Sequence, residues 1–287
     1  VSTITSPRTL YVSDLDRTLL RSDGTLGQLS VELLNEVIDR GGLFTIATAR
    51  SPASARKATA GLRMTLPIIT YGGTVTADPV TGTAYDVRFT QPDVVTDVIR
   101  AAKDHANIEP IFFTFEDGRD WIRWDPSRMT VGVEVFLSKR GAKDRRLRPI
   151  LGDDPLDVRT VHYVSILAKR PDLVAFRAEN QVTMMHVAHF LSTDPGTPGL
   201  DWLEFHHPDG TKAAAVQRLR ADVKAHRLVA FGDNHNDAPM FEIADEAHAV
   251  QNSVPELVAI ATSVIDHHED DAVARFIASE MAGVSRS

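Results

Sequence analysis

The sequence predicts an α/β protein: a Rossmann-like, doubly wound parallel sheet with an α+β domain inserted into it. Strand and helix patterns alternate over residues 10–70 and resume over residues 211–281. Between these stretches the pattern changes to strands joined by hairpin turns and mixed with helices, which suits an antiparallel sheet. The apolar runs of the outer stretches end in Asp14, Thr48 and Asp233. In an open parallel sheet such carboxyl ends share one crevice, and ligands bind there.

The elements follow in order. Leu10–Leu15 reads as a buried strand, and Ser22-Asp-Gly24 as a turn. Ser30 is placed to cap a helix whose apolar face holds Val31, Leu34, Val37 and Ile38, and Gly41-Gly42 ends it. Residues 43–47 form a second strand, Pro52 opens a helix to about residue 60, and residues 67–70 form a third strand before the turn Tyr71-Gly72-Gly73. Residues 74–89 read as a hairpin, and Pro92 opens a helix burying Val94, Val95, Val98, Ile99 and Ala102. Strands are expected at 111–115, 121–124, 161–168, 182–190 and 200–205, with a helix over 171–180 and a loop over 194–199. The basic segment Lys139–Arg148 reads as a solvated loop or helix face. Helices at 211–219, 239–244, 255–261 and 271–281 then alternate with strands at 228–231, 247–250 and 264–265. The economical division is a core of residues 1–87 and 204–287 with an insert of residues 88–203.

Composition narrows the chemistry. With 31 basic against 39 acidic residues the net charge is −8, which disfavours a nucleic-acid partner. The absence of cysteine excludes disulfides, thiolate zinc sites and a cysteine nucleophile, and fits a cytoplasmic protein. No apolar run reaches membrane-spanning length, so no membrane partner is expected. The amino-terminal residues lack the apolar centre of a signal peptide.

Within Tyr11-Val-Ser-Asp14-Leu-Asp16-Arg-Thr18, two carboxylates follow a core strand. Strand periodicity turns Asp14 and Asp16 the same way. Unpaired, they would be costly there, and a divalent cation would relieve that cost. By itself the stretch reads equally well as a strand followed by an Asp-rich turn. The other strand ends add a hydroxyl at Thr48, an ammonium at Lys212, and Asp233, Asn236 and Asp237. Hard oxygens suit Mg²⁺, and hydroxyl and ammonium donors suit the oxygens of a phosphoryl group.

Asp14-Leu-Asp16-Arg-Thr18, Thr48-Ala-Arg50, Lys212, and Gly232-Asp233-Asn-His-Asn236-Asp237 resemble, in order, the four motifs of the haloacid dehalogenase superfamily. The long insert, followed by Asp-Gly-Thr-Lys212, is similar to the Cof-type branch, whose members carry a C2 cap. The resemblance spans Asp14 to about Asn252. It implies a Mg²⁺-dependent phosphatase acting on small phosphorylated metabolites, sugar phosphates first, through an aspartyl-phosphate. Asp14 would be the nucleophile and Asp16 the general acid and base. Mg²⁺ would be held by the Asp14 carboxylate, the Asp16 main-chain carbonyl and Asp233. Thr48 and Lys212 would clamp the phosphoryl group, with Asn236 assisting, and Asp237 would orient the metal shell or Lys212. The cap would close over the crevice and read the leaving group.

Blander roles stand beside these. Thr48 could cap the following helix, and Asp237 could be an N-cap. A lysine at a helix start opposes the helix dipole, which favours a functional Lys212. Arg50 reads as structural or cap-facing, while His206, His207 and His235 read as surface residues. Trp121, Trp124, His162 and Tyr163 read as core of the insert. Arg17 and Ala49 stand where glycine is usual, and Tyr71-Gly-Gly where an Asn-Gly turn is usual. A phosphomutase would use the same nucleophile. A receiver-like module, phosphorylated on aspartate as a signal, is disfavoured by a general base at Asp16.

Overall fold

The computed structural model describes residues 8–141, 144–193 and 196–284. The amino-terminal segment read for a signal peptide, residues 142–143 of the basic segment and residues 194–195 of the expected loop lie outside them. Contacts divide the chain into two compact units, Val1–Asp86 with Thr211–Ser287, and Val87–Gly210.

The chain opens with β1 (Thr9–Ser13), a five-residue π-turn at Leu15–Leu19, and α1 (Gln28–Asp39). Ser30 does not cap α1. Gly27 takes that place, and the Ser30 hydroxyl is buried, donating to Asp271 Oδ1 at 2.7 Å. Next come β2 (Leu43–Ile46), α2 (Pro52–Ala58), β3 (Ile68–Thr70), a tight turn at Tyr71–Gly73, β4 (Val75–Ala77) and β5 (Ala84–Val87). Ser51 caps α2, accepting from the Ser54 N–H, so Thr48 has no capping role there.

The insert holds α3 (Pro92–Ala102), β6 (Ile111–Glu116), β7 (Arg119–Arg123), α4 (Val131–Arg140) and β8 (Val161–Ala168). It continues with α5 (Arg170–Glu179), α6 (Gln181–Met184), β9 (Ala188–Thr193) and β10 (Asp201–His206). These strands form an antiparallel sheet in the order β7-β6-β8-β10-β9. Residues 182–190 are not one strand. Met184 is buried in the insert core on the short α6, Val182 is exposed, and β9 begins only where Ala188 pairs with His206. The insert extends to Gly210, so the whole of β10 belongs to it. His206 is not a surface residue: it is buried and stacked on Tyr163.

The chain returns through α7 (Lys212–Asp222), β11 (Arg227–Gly232), α8 (Ala238–Glu242), β12 (Glu246–Val250), α9 (Pro255–Val258), β13 (Ser263–Ile265) and α10 (Ala272–Val284). The five-stranded sheet β13-β12-β11-β1-β2 is parallel throughout. Alternate side chains of its strands enter different cores. Tyr11, Val229 and Phe231 pack with Leu34 of α1 and Ile277 of α10, whereas Leu10, Val12, Leu228 and Ala230 pack with Val216 of α7 and Phe241 of α8. Burial on both faces explains why these strands read as continuous apolar runs. Each fully buried Leu or Val contributes about 1.5–3 kcal/mol. The result is a rigid edge at the ends of β1 and β11.

Candidate active site

The two central strands of this sheet end side by side. The Asp14 N–H donates to Phe231 O at 3.0 Å, which carries the ladder one residue beyond β1. Asp14 and Asp233 therefore emerge from adjacent strand ends, both buried. Thr18 holds Asp233, its hydroxyl donating to Oδ1 at 3.2 Å.

Lys212 is the first residue of α7, whose N-cap is Thr211. Its Nζ donates to Asp14 Oδ1 at 2.5 Å and to Asp237 Oδ1 at 2.7 Å. The other Asp237 oxygen, Oδ2, accepts the N–H groups of Asp233 at 3.0 Å and Asn234 at 3.2 Å, part of a capping box with Asn234. Both of its oxygens are thus committed, and it acts on Lys212 and the backbone. Gly232 makes room for this packing, since a methyl group there would meet Asp237 Cβ at 2.7 Å. Asp14 and Asp233 each keep Oδ2 free of these hydrogen bonds.

Asp14, Asp233 and Asp237 each place a carboxylate oxygen within 4.8 Å of the other two. Three carboxylates face one ammonium, an excess of negative charge in a buried place. Burial pushes the Asp14 carboxyl up, and Asp237 and Asp233 add to this against the pull of Lys212, so that it reaches about 8. Burial and then Asp237 raise Asp233 to about 6. Burial would lower the Lys212 ammonium, but Asp14 and Asp237 outweigh it and hold the proton more tightly than usual. An all-oxygen set with uncompensated charge fits a hard divalent cation.

Asp16 does not join the cluster. The chain leaves β1 at Asp14, and the π-turn closes with the Leu20 N–H on Leu15 O at 2.8 Å. Asp16 has φ −71° and ψ 122°, and Arg17 is left-handed at φ 59°. The strand period is broken there, so Asp14 is buried while Asp16 is exposed. Arg50, read from sequence as structural or cap-facing, grips Asp16 by two hydrogen bonds: Nε to Oδ2 at 2.9 Å and Nη2 to Oδ1 at 2.6 Å. Thr48 is buried; its hydroxyl accepts the Arg50 N–H at 3.2 Å. Asn236 is exposed on the turn that carries Asp237 and makes no hydrogen bond to the cluster. His235 is exposed as expected.

Sequence reasoning missed two supports. Asn252 Nδ2 donates to the Arg17 carbonyl at 2.8 Å. Gly73, at φ +114°, lies so close to Thr211 that a methyl group would fall 2.2 Å from its carbonyl carbon and oxygen. The only sequence signal for either was the paired glycine of the turn.

An α/β fold with carboxylates gathered at adjacent strand ends places a candidate ligand site in the crevice where open parallel sheets bind their ligands. The haloacid dehalogenase-like hydrolase family matches residues 11–277, and the chain belongs to it. A 5-amino-6-(5-phospho-D-ribitylamino)uracil phosphatase of Bacillus subtilis is 26% identical over 282 residues, covering 93% of this chain and 96% of that protein. An HMP-PP phosphatase of Cronobacter sakazakii is 24% identical over 268 residues, covering 92% of each. A solved structure from Eubacterium rectale, 19% identical, superposes with a TM-score of 0.78 over 95% of this chain and 98% of the other, a likeness of fold. Family and relatives together make the chain a phosphatase. Among the described residues, no helix is long and apolar enough to cross a membrane.

Proposed function

We propose that the chain is a Mg²⁺-dependent phosphatase of small phosphorylated metabolites, sugar phosphates first, that works through an aspartyl-phosphate on Asp14. One observation carries the assignment: Lys212 holds Asp14 by Oδ1 at 2.5 Å, which leaves Oδ2 as the free nucleophile. The ribitylamino phosphate named for the Bacillus relative is a polyol phosphate, which supports this substrate class.

Asp14 Oδ2 attacks phosphorus, and the bond to the ester oxygen breaks. Asp16, parted from Arg50 and entering the step as the carboxylic acid, gives its proton to that oxygen and becomes the carboxylate. Water then attacks the same phosphorus and gives a proton to Asp16. The Asp14–phosphorus bond breaks, and inorganic phosphate leaves. Lys212 fixes the Asp14 carboxylate and faces the charge that develops on the phosphoryl oxygens, with Thr48 as hydroxyl donor and Asn236 as an amide within the same strand-end loops. Asp14, Asp233 and the Asp16 carbonyl would hold Mg²⁺, and Asp237 keeps Lys212 oriented. When bound, Mg²⁺ neutralises the carboxylates and the substrate oxygens.

The test is phosphate release from a panel of sugar and polyol phosphates, with and without Mg²⁺, using Asp14→Ala as control. Turnover should need both the metal and Asp14. Activity that persists in EDTA or in the variant defeats the assignment. Release without an added bisphosphate separates hydrolysis from a mutase.

A further inference from the structure

Resting on the phosphatase reading above, we propose that Arg17 recognises a second anionic group on the substrate, a carboxylate or further phosphate carried by the same ester. Arg17 lies between Asp16 and Thr18 with φ 59° and ψ 15°. Glycine enters this left-handed region freely, whereas a side chain with a Cβ resists it. The conformation is imposed on Arg17 from outside, by the Asn252 amide on its carbonyl and by closure of the π-turn. The side chain is exposed, so packing does not offset the strain. Strain kept at a site loop is a reason to look for a role in the side chain itself.

The other cations of the site are committed. Lys212 is held by Asp14 and Asp237, and the Arg50 fork is filled by Asp16. Among the described residues, the Arg17 guanidinium makes no hydrogen bond or ion pair with a side chain. Its charge is nonetheless near enough to act on Asp233. Arg17 is thus a free, planar, always-charged fork on the loop that carries the nucleophile. Such a fork takes carboxylates and phosphates by paired hydrogen bonds. The phosphoryl group being transferred bonds to Asp14, beside the ammonium that already holds that carboxylate, so the anion left for Arg17 is a second one.

The experiment compares matched esters: 3-phosphoglycerate with glycerol 3-phosphate, and fructose 1,6-bisphosphate with fructose 6-phosphate. The wild type should prefer the member with two anionic groups in kcat/KM by about tenfold or more, as expected of a charge-assisted hydrogen bond. Arg17→Gly, which suits the backbone, should bring that ratio close to one, mainly through KM. Arg17→Lys should keep part of the preference. A ratio unchanged by Arg17→Gly, or a wild type without preference, overturns the proposal. Calorimetric binding of the same four esters to Asp14→Asn protein, with and without Arg17→Gly, decides the point even where turnover is absent. Preference lost in the double variant supports Arg17, and preference retained overturns it. Absence of Asp14-dependent turnover from every ester would instead defeat the phosphatase reading.

Discussion

Lys212→Met removes the one ammonium that faces three carboxylates and keeps most of the side chain's volume, so its cost is chiefly electrostatic. Nζ sits 2.5 Å from Asp14 and 2.7 Å from Asp237, and the Lys212 side chain is only 3% exposed. Breaking a buried pair by removing one partner costs about 3–5 kcal/mol. The loss should depend on pH with a definite sign. Without Lys212 the carboxylates bind protons still more readily in the folded state, so the folded state holds more protons than the unfolded one, and stability falls as pH rises. The penalty should therefore be largest near pH 8 and smaller by at least about 1 kcal/mol near pH 5.5. Urea unfolding at both pH values, in EDTA, measures it. Trp121, Trp124 and Trp202 all lie in the insert, so tryptophan fluorescence would follow the wrong unit, and circular dichroism is the proper signal. A penalty below about 1 kcal/mol at pH 8, or one that does not change with pH, would refute the charge balance drawn for the site.

Two further outcomes follow from the same geometry. Metal-free protein should lose stability as pH rises from about 4 to 8, because Asp233 moves from its ordinary 3.8 to about 6 on folding and Asp14 moves the same way. For Asp233 alone the loss is at most about 3 kcal/mol, and millimolar Mg²⁺ should reverse it, which thermal melts across that range would show; a flat profile, or no effect of Mg²⁺ at pH 8, would contradict it. Gly73→Ala should lower stability by about 2–3 kcal/mol and depress kcat, because the methyl group meets the Thr211 carbonyl and the Lys212 nitrogen while the backbone sits at φ +114°. Wild-type melting and turnover in that variant would show that the turn does not set the position of Lys212.

The parallel core was legible because its strands are buried on both faces and read as short apolar runs ending in polar residues. The runs leading into Asp14 and Asp233 are of this kind, and they lie adjacent in the sheet. Legibility failed where contacts are remote or the pattern is short. The partner of Arg50 lies 34 residues away at Asp16, and a pairing of that kind leaves no local periodicity. Helix α4 was hidden because Gly132 and the β-branched residues Val131, Val133 and Val135 weaken its helical signal. It forms nevertheless, with Thr130 as its cap and Gly132 packed against the Leu167 carbonyl. In residues 182–190, apolar side chains suggested a strand, but the burial of Met184 beside the exposed Val182 follows a helical turn.

The stretch from Asp14 to Thr18 shows where strand spacing stops predicting the direction of a side chain. Had the strand continued, Asp14 and Asp16 would share a face and compete for the same cation. The left-handed turn at Arg17 separates them instead. Asp14 goes to Lys212, Asp16 to Arg50, the Arg17 carbonyl to Asn252, and Thr18 to Asp233. Each partner comes from a different part of the chain, so the turn gathers four distant segments around five residues. A nucleophile and a proton donor must differ in environment to differ in role. Here the difference comes from backbone geometry: one carboxylate is buried against an ammonium, and the other is exposed against a guanidinium.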